Sequence, residues 1–74
     1  MNYNEQLYRN IEAERARNKL TIAQCAHKLD VSDKTYRNRR DNLSKLSADD
    51  LVKIAKLFGV SIDYLCGIST DRKG

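Results

Sequence analysis

Between Leu20 and Arg40 two short apolar patterns of helical period are separated by Asp30-Val31-Ser32, and this break restricts the fold more than any other stretch. Thr21 and Gln24 have the spacing of a capping box, in which a hydroxyl accepts from the third helical N–H and an amide reaches back. Ile22, Cys25, Ala26 and Leu29 then recur at helical spacing and make one buried stripe. Asp30 tolerates the left-handed backbone that a corner needs, and Ser32 is a good N-cap for the next helix. That helix is predicted over Asp33 to about Arg40, with Thr35 and Tyr36 inward and Lys34, Arg37 and Asn38 outward. The corner aims it away from the body at a steep angle.

The flanking segments read as helices too. A first helix is predicted from about Asn4 to Asn18, with Tyr3, Leu7, Ile11 and Tyr8 on a narrow apolar stripe and a charged C-terminal half. Asp41 to Leu46 is a loop in which Asn42 suits a left-handed C-cap. Ser47 caps a fourth helix, with Asp49 and Asp50 at its positive dipole end. Its Leu51, Ile54, Ala55 and Phe58 give the clearest periodic signal in the chain. Gly59 ends it, and Ser61 caps a last short helix that turns Ile62 and Leu65 inward and stops at Gly67. One domain over 1–67 and a flexible tail over 68–74 are expected.

A chain of 74 residues is one domain with a small core. It contains no proline and three glycines, which disfavours a turn-rich β fold. The expected class is all-α. The longest uncharged stretches are too short to span a bilayer and the N-terminus lacks a signal-peptide core, so a cytoplasmic location is expected. In that compartment Cys25 and Cys66 are read as buried thiols rather than a bridge. With His27 they lack the paired spacing of a zinc site, and neither metal nor cofactor is predicted.

Net charge is +4 with a sequence pI of about 9.3. From Asp33 to Lys45, Lys34, Arg37, Arg39, Arg40 and Lys45 stand against Asp33 and Asp41, so this segment supplies +3 of the total. Clustered cations of this kind fit a nucleic acid or an acidic protein partner. Lys34, Arg37 and Asn38 share one helical face through spacings of three and four. That face is either a solvated surface or a set of groups for phosphates and base edges.

The run Leu20, Thr21, Ala26, Leu29, Val31, Ser32 resembles the Cro/CI-type helix-turn-helix of phage repressors and related bacterial regulators. The resemblance continues in register through Leu51, Ile54, Ala55, Phe58, Gly59, Val60, Ser61, Asp63 and Leu65, and covers roughly residues 5 to 67. It implies a compact five-helix, lambda-repressor-like domain whose helices 2 and 3 form the helix-turn-helix, with helix 3 in the DNA major groove. By the same resemblance Ser32, Asp33, Lys34, Arg37 and Asn38 are the base-reading set. Lys34 would meet guanine O6/N7, Asn38 adenine N6/N7, and Asp33 cytosine N4. Thr21, Arg40, Asn42, Ser44 and Lys45 are the expected backbone contacts.

Four positions depart from the family pattern. Ile22 stands where glutamine commonly grips phosphate, and Asp30 and Asn42 each replace a common glycine. The fourth is Arg40, in the place of a glutamate that usually pairs with the arginine matched by Arg15. Two arginines cannot pair, so Arg15 is expected to use Glu12, Glu14 or Asp41 and to leave Arg40 for phosphate. A single carboxylate bridging both would confine them to structure.

The implied function is sequence-specific DNA binding by a transcriptional regulator, a repressor on a palindromic operator, of phage or mobile-element type and associated with the nucleoid. An antitoxin-like or adaptor protein that uses the scaffold mainly to bind protein is the alternative. One recognition helix reads few base pairs, so a weak or DNA-induced homodimer is expected, formed through Ile62, Tyr64, Leu65 and Ile68. A single histidine, no nucleophile–base pairing and no phosphate-cradling glycine loop point away from an enzyme, and no small-molecule ligand or membrane partner is expected.

Overall fold

The computed structural model describes residues 3–73. It contains five helices in the expected order, α1 (Tyr3–Arg17), α2 (Ile22–Lys28), α3 (Asp33–Asp41), α4 (Ala48–Phe58) and α5 (Ile62–Leu65). Four of them start from the cap read in the sequence. Thr21 Oγ1 accepts from the Gln24 N–H at 3.0 Å while Gln24 Oε1 accepts from the Thr21 N–H at 2.9 Å, which is the complete capping box. Ser32, Ser47 and Ser61 each accept from the backbone N–H three residues on.

All five helices also stop in one way. Just past each helix an N–H returns to a carbonyl of the last turn at 2.9 to 3.1 Å: Leu20 to Arg15, Val31 to Ala26, Ser44 to Arg39, Val60 to Ala55 and Ile68 to Asp63. Such a turn needs a left-handed residue just before the returning N–H. Lys19, Asp30, Leu43, Gly59 and Gly67 fill that place, with φ of 56°, 59°, 50°, 66° and 80°. The left-handed conformation expected of Asn42 therefore falls one residue later. Asn42 is the cap itself, at φ −98°. Leu43 accepts the strained geometry with its side chain packed against the core and its carbonyl accepting from Asn4 Nδ2 at 3.0 Å.

α1 packs against α4 and α5, and α2 against α3. Leu7, Tyr8 and Ile11 from α1 meet Cys25 and Ala26 from α2, Tyr36 from α3, Ile54 and Phe58 from α4, then Val60 and Leu65. Tyr3, placed on the α1 stripe by its spacing, is 67% exposed and lies outside this core. The next position of that stripe is instead the charged Glu14, fully buried.

Burial of a carboxylate requires partners. Glu14 accepts from Arg72 Nη2 at 2.8 Å, from Arg72 Nε at 3.1 Å and from the Tyr64 hydroxyl at 3.0 Å, and it also pairs with Arg17. Arg72 belongs to the segment expected to fray after Gly67. Besides its bidentate pair with Glu14, its carbonyl accepts from the Ser61 N–H at 2.7 Å, so the end of the chain crosses back over α5 to α1. The radius of gyration, 11.2 Å, equals what a close-packed chain of this length has, about 11 Å. Gly74 lies outside the described residues, as do Met1 and Asn2.

Candidate nucleic-acid interface

α3 is fastened along one side and open along the other. On the inner side, Tyr36 is buried and its hydroxyl donates to Glu12 Oε2 at 2.9 Å. Arg40 Nη1 donates to Glu12 Oε1 at 2.7 Å and Arg15 Nε to Glu12 Oε2 at 2.6 Å. Glu12 of α1 thus gathers two guanidinium groups and a phenol. Arg39 adds an ion pair to Asp50 of α4 at 3.5 Å. Burial alone would raise the Glu12 carboxyl, but hydrogen bonds from Arg15, Arg40 and Tyr36 outweigh it and hold it below the usual carboxylate range. Arg40 is correspondingly pushed up, first by Glu12 and then by Asp41, whose carboxylate its Nε meets at 3.1 Å.

This arrangement corrects one expected contact. Arg15 does use Glu12, but so does Arg40, so one carboxylate bridges the two arginines and Arg40 is not left for phosphate. Its place is between Glu12 and Asp41, and it donates to both. Both arginines converge on the Glu12 carboxylate of α1.

The outer side carries Lys34, Arg37 and Asn38, all exposed. Neither Lys34 nor Arg37 has an ion pair among the described residues. Asp41, seven residues after Lys34, returns to the same face and is held by Arg40. Asp33 is exposed in the first turn of α3, where its charge favours the helix dipole. Ser32 is occupied as the cap: its Oγ accepts from the Thr35 N–H at 3.1 Å and its hydroxyl donates to Thr35 Oγ1 at 2.9 Å. At the other end Asn42 Nδ2 donates to the Asn38 carbonyl at 2.9 Å and to the Asn38 side-chain oxygen. Asn42 therefore spends its amide on α3.

The loop after α3 is held from α1. The Tyr8 hydroxyl donates to the Ser44 carbonyl at 2.7 Å, next to the Asn4–Leu43 bond. Lys45 leaves this anchored loop exposed and without an ion pair among the described residues. Thr21 is exposed at the start of α2, whereas Ile22 packs against the core in place of the common glutamine.

The expected dimer face is corrected in part. Leu65 is fully buried, and the Tyr64 hydroxyl is committed to Glu14. Ile62 and Ile68 remain exposed, at 37% and 70%. Cys25 is buried, Cys66 half-buried, and both are free thiols. Sequence reasoning missed Glu14 and Arg72. The signal for Glu14 was available, since it follows Leu7 and Ile11 at i+7 and i+3 on the buried stripe. Nothing local marks Arg72.

A helix-turn-helix family model matches residues 11–65, which takes in α2, the corner, α3 and α4 and reaches the end of α5. The chain belongs to the Cro/CI-like helix-turn-helix family. Its five-helix fold is lambda-repressor-like. Over 57 residues it is 35% identical to the uncharacterized HTH-type transcriptional regulator YobD of Bacillus subtilis (strain 168), an alignment covering 77% of this chain and 51% of the relative. This helix-turn-helix chain thus spans about half the length of the curated relative it matches. No solved structure matches it. Among the described residues no helix is long and apolar enough to cross a membrane.

Proposed function

We propose that this protein is a sequence-specific DNA-binding transcriptional regulator, acting by occupancy of its operator and not by chemistry. The observation that carries the proposal is the outer side of α3: Lys34, Arg37 and Asn38 are exposed while Tyr36, Arg39 and Arg40 hold the opposite side to α1 and α4. A helix so anchored can enter the major groove without rearrangement, with donors directed at base edges. In this reading Lys34, Arg37 and Asn38 read bases, with Asp33 available to a cytosine amino group. Lys45, Ser44 and the exposed start of α2 at Thr21 meet the sugar-phosphate backbone. Ser32 and Asn42 serve α3 as caps and act on DNA through it. The family membership and the transcriptional-regulator relative support the same reading.

One α3 reads few base pairs, so useful affinity calls for two copies on half-sites about 34 Å apart. The exposed Ile62 and Ile68 are the apolar side chains left near α5 for such a pairing, which we expect to be weak or completed only on DNA. A phage-type repressor on a palindromic operator is the form of regulator that fits. Selection from randomised duplexes with the purified chain is the test. A symmetric enriched motif supports the proposal. Absence of enrichment at moderate salt would overturn it in favour of a protein-binding adaptor.

A further inference from the structure

We infer that Asn42, by holding the amide oxygen of Asn38, makes Asn38 a pure donor toward the groove and selects guanine over adenine at the base pair it faces. The inference rests on the reading of α3 as the groove helix and goes beyond it to the base chemistry of one position.

The orientation of both amides follows from one atom. Asn42 Nδ2 lies 2.9 Å from the Asn38 backbone carbonyl, and a carbonyl only accepts, so the atom there is an amide nitrogen. The same nitrogen meets the Asn38 side chain. The atom it meets must accept too, which makes it Oδ1 and turns the Asn38 amino group away from Asn42. Asn42 is one helical turn beyond Asn38, at the C-cap, so the bond draws the oxygen along α3 toward its end. Two N–H donors remain for the groove.

An uncommitted asparagine reads adenine at two points, its amino group donating to N7 and its oxygen accepting from N6. Here Asn42 holds the oxygen toward the end of α3, and turning it to the groove, to use its second lone pair, breaks the Asn42 bond. A net hydrogen bond of ordinary strength sets adenine back by roughly two- to tenfold. Guanine instead shows two neighbouring acceptors, N7 and O6, to the amino group. The rest of the face agrees with this. Lys34 and Arg37 donate only, the Ser32 hydroxyl is spent on Thr35, and the Asp41 carboxylate is held by Arg40. Asp33 stays open as an acceptor more than one turn away from Asn38, and Asp41 keeps its second carboxylate oxygen, the first being held by Arg40.

The test is selection from randomised duplexes at moderate salt with the full chain, Asn38→Ala, Asn42→Ala and Asn42→Gly. The base pair whose preference disappears with Asn38→Ala is the one Asn38 reads. At that pair the unaltered chain should favour guanine over adenine by roughly two- to tenfold or more, and both Asn42 variants should narrow or reverse that ratio. Adenine preferred by the unaltered chain, or a ratio unmoved by both Asn42 variants, would overturn the inference while leaving the DNA-binding reading intact. No enrichment with the unaltered chain would overturn that reading, and the inference with it. A second measurement leaves the protein untouched: 7-deazaguanine at that pair removes one acceptor. It should weaken binding severalfold, and unchanged affinity would count against the inference.

Discussion

Arg40 shows how a cation on α3, the helix proposed to meet DNA, can be committed to the fold. Its guanidinium stands between Glu12 and Asp41, so its loss exposes two carboxylates at once. Arg40→Ala should therefore lower stability by about 1.5–3 kcal/mol, as expected when a hydrogen bond to a charged group is removed, measurable by urea denaturation. Its effect on the salt dependence of DNA binding should be small. Lys45→Ala should do the reverse, leaving stability unchanged and reducing the log–log salt slope by about 0.9 for each protomer bound. Equal salt slopes for the unaltered chain and Lys45→Ala would remove Lys45 from the phosphate contacts. Glu12 and Glu14 add a pH signature. Both are held below the ordinary value of 4.5 in the folded chain, because hydrogen bonds from arginine and tyrosine overcome the effect of burial. A lowered folded pKa contributes stability that is complete above 4.5 and is lost as pH falls through the folded values. Denaturation midpoints should drop steadily on acidification below that point, and Glu12→Gln should shallow the decline; a midpoint independent of pH there would contradict the two clusters.

At the scale of elements, the five helix ends share a geometry but not a residue. Gly59 and Gly67 adopt the left-handed conformation at no steric cost, whereas Lys19, Asp30 and Leu43 carry a Cβ there. Lys19 is exposed and has no ion pair among the described residues, so Lys19→Gly should raise stability by about 0.5–1 kcal/mol. A loss would mean that the Lys19 stem contributes packing. Leu43 is different, because its side chain joins the core and glycine there would forfeit the contact. Leu65 tests which surface α5 presents. Buried completely against α1 and α4, it should cost roughly 2–5 kcal/mol as Leu65→Ala, a large share of a small domain's stability. That loss should be independent of protein concentration. A loss that grows on dilution would return Leu65 to a dimer face.

Over the whole molecule, the returning C-terminal segment joins elements far apart in sequence. Arg72 reaches Glu14 across 58 positions, and the Tyr64 hydroxyl spans 50 to the same carboxylate. Without them Arg17 alone would compensate the buried Glu14 charge. Removal of residues 71–74 should therefore raise the Glu14 pKa and move the acid limb of the stability curve upward, which pH-dependent denaturation of the full and shortened chains would show. Identical curves would mean that Tyr64 and Arg17 suffice. The same strap ties α5 to α1, so the exposed Ile62 and Ile68 sit on a fixed part of the body.

Helix starts, helix order and the outward set Lys34, Arg37, Asn38 were legible in the sequence because each depends on neighbours within one turn. Caps, apolar periodicity and shared faces are short-range properties of the chain. Whether a charged side chain points to solvent or to another charge is not. Arg40 looked available for phosphate until α1 placed Glu12 between it and Arg15, and Tyr3 looked buried until the core ended at Leu7. The tail over 68–73 carried no local pattern, yet Arg72 found the one fully buried carboxylate among the described residues. The local sequence thus determined which segments are helical and which way α3 faces. Tertiary structure alone decided which cations remain for a partner, since ion pairs form between groups brought together by packing and not by spacing along the chain.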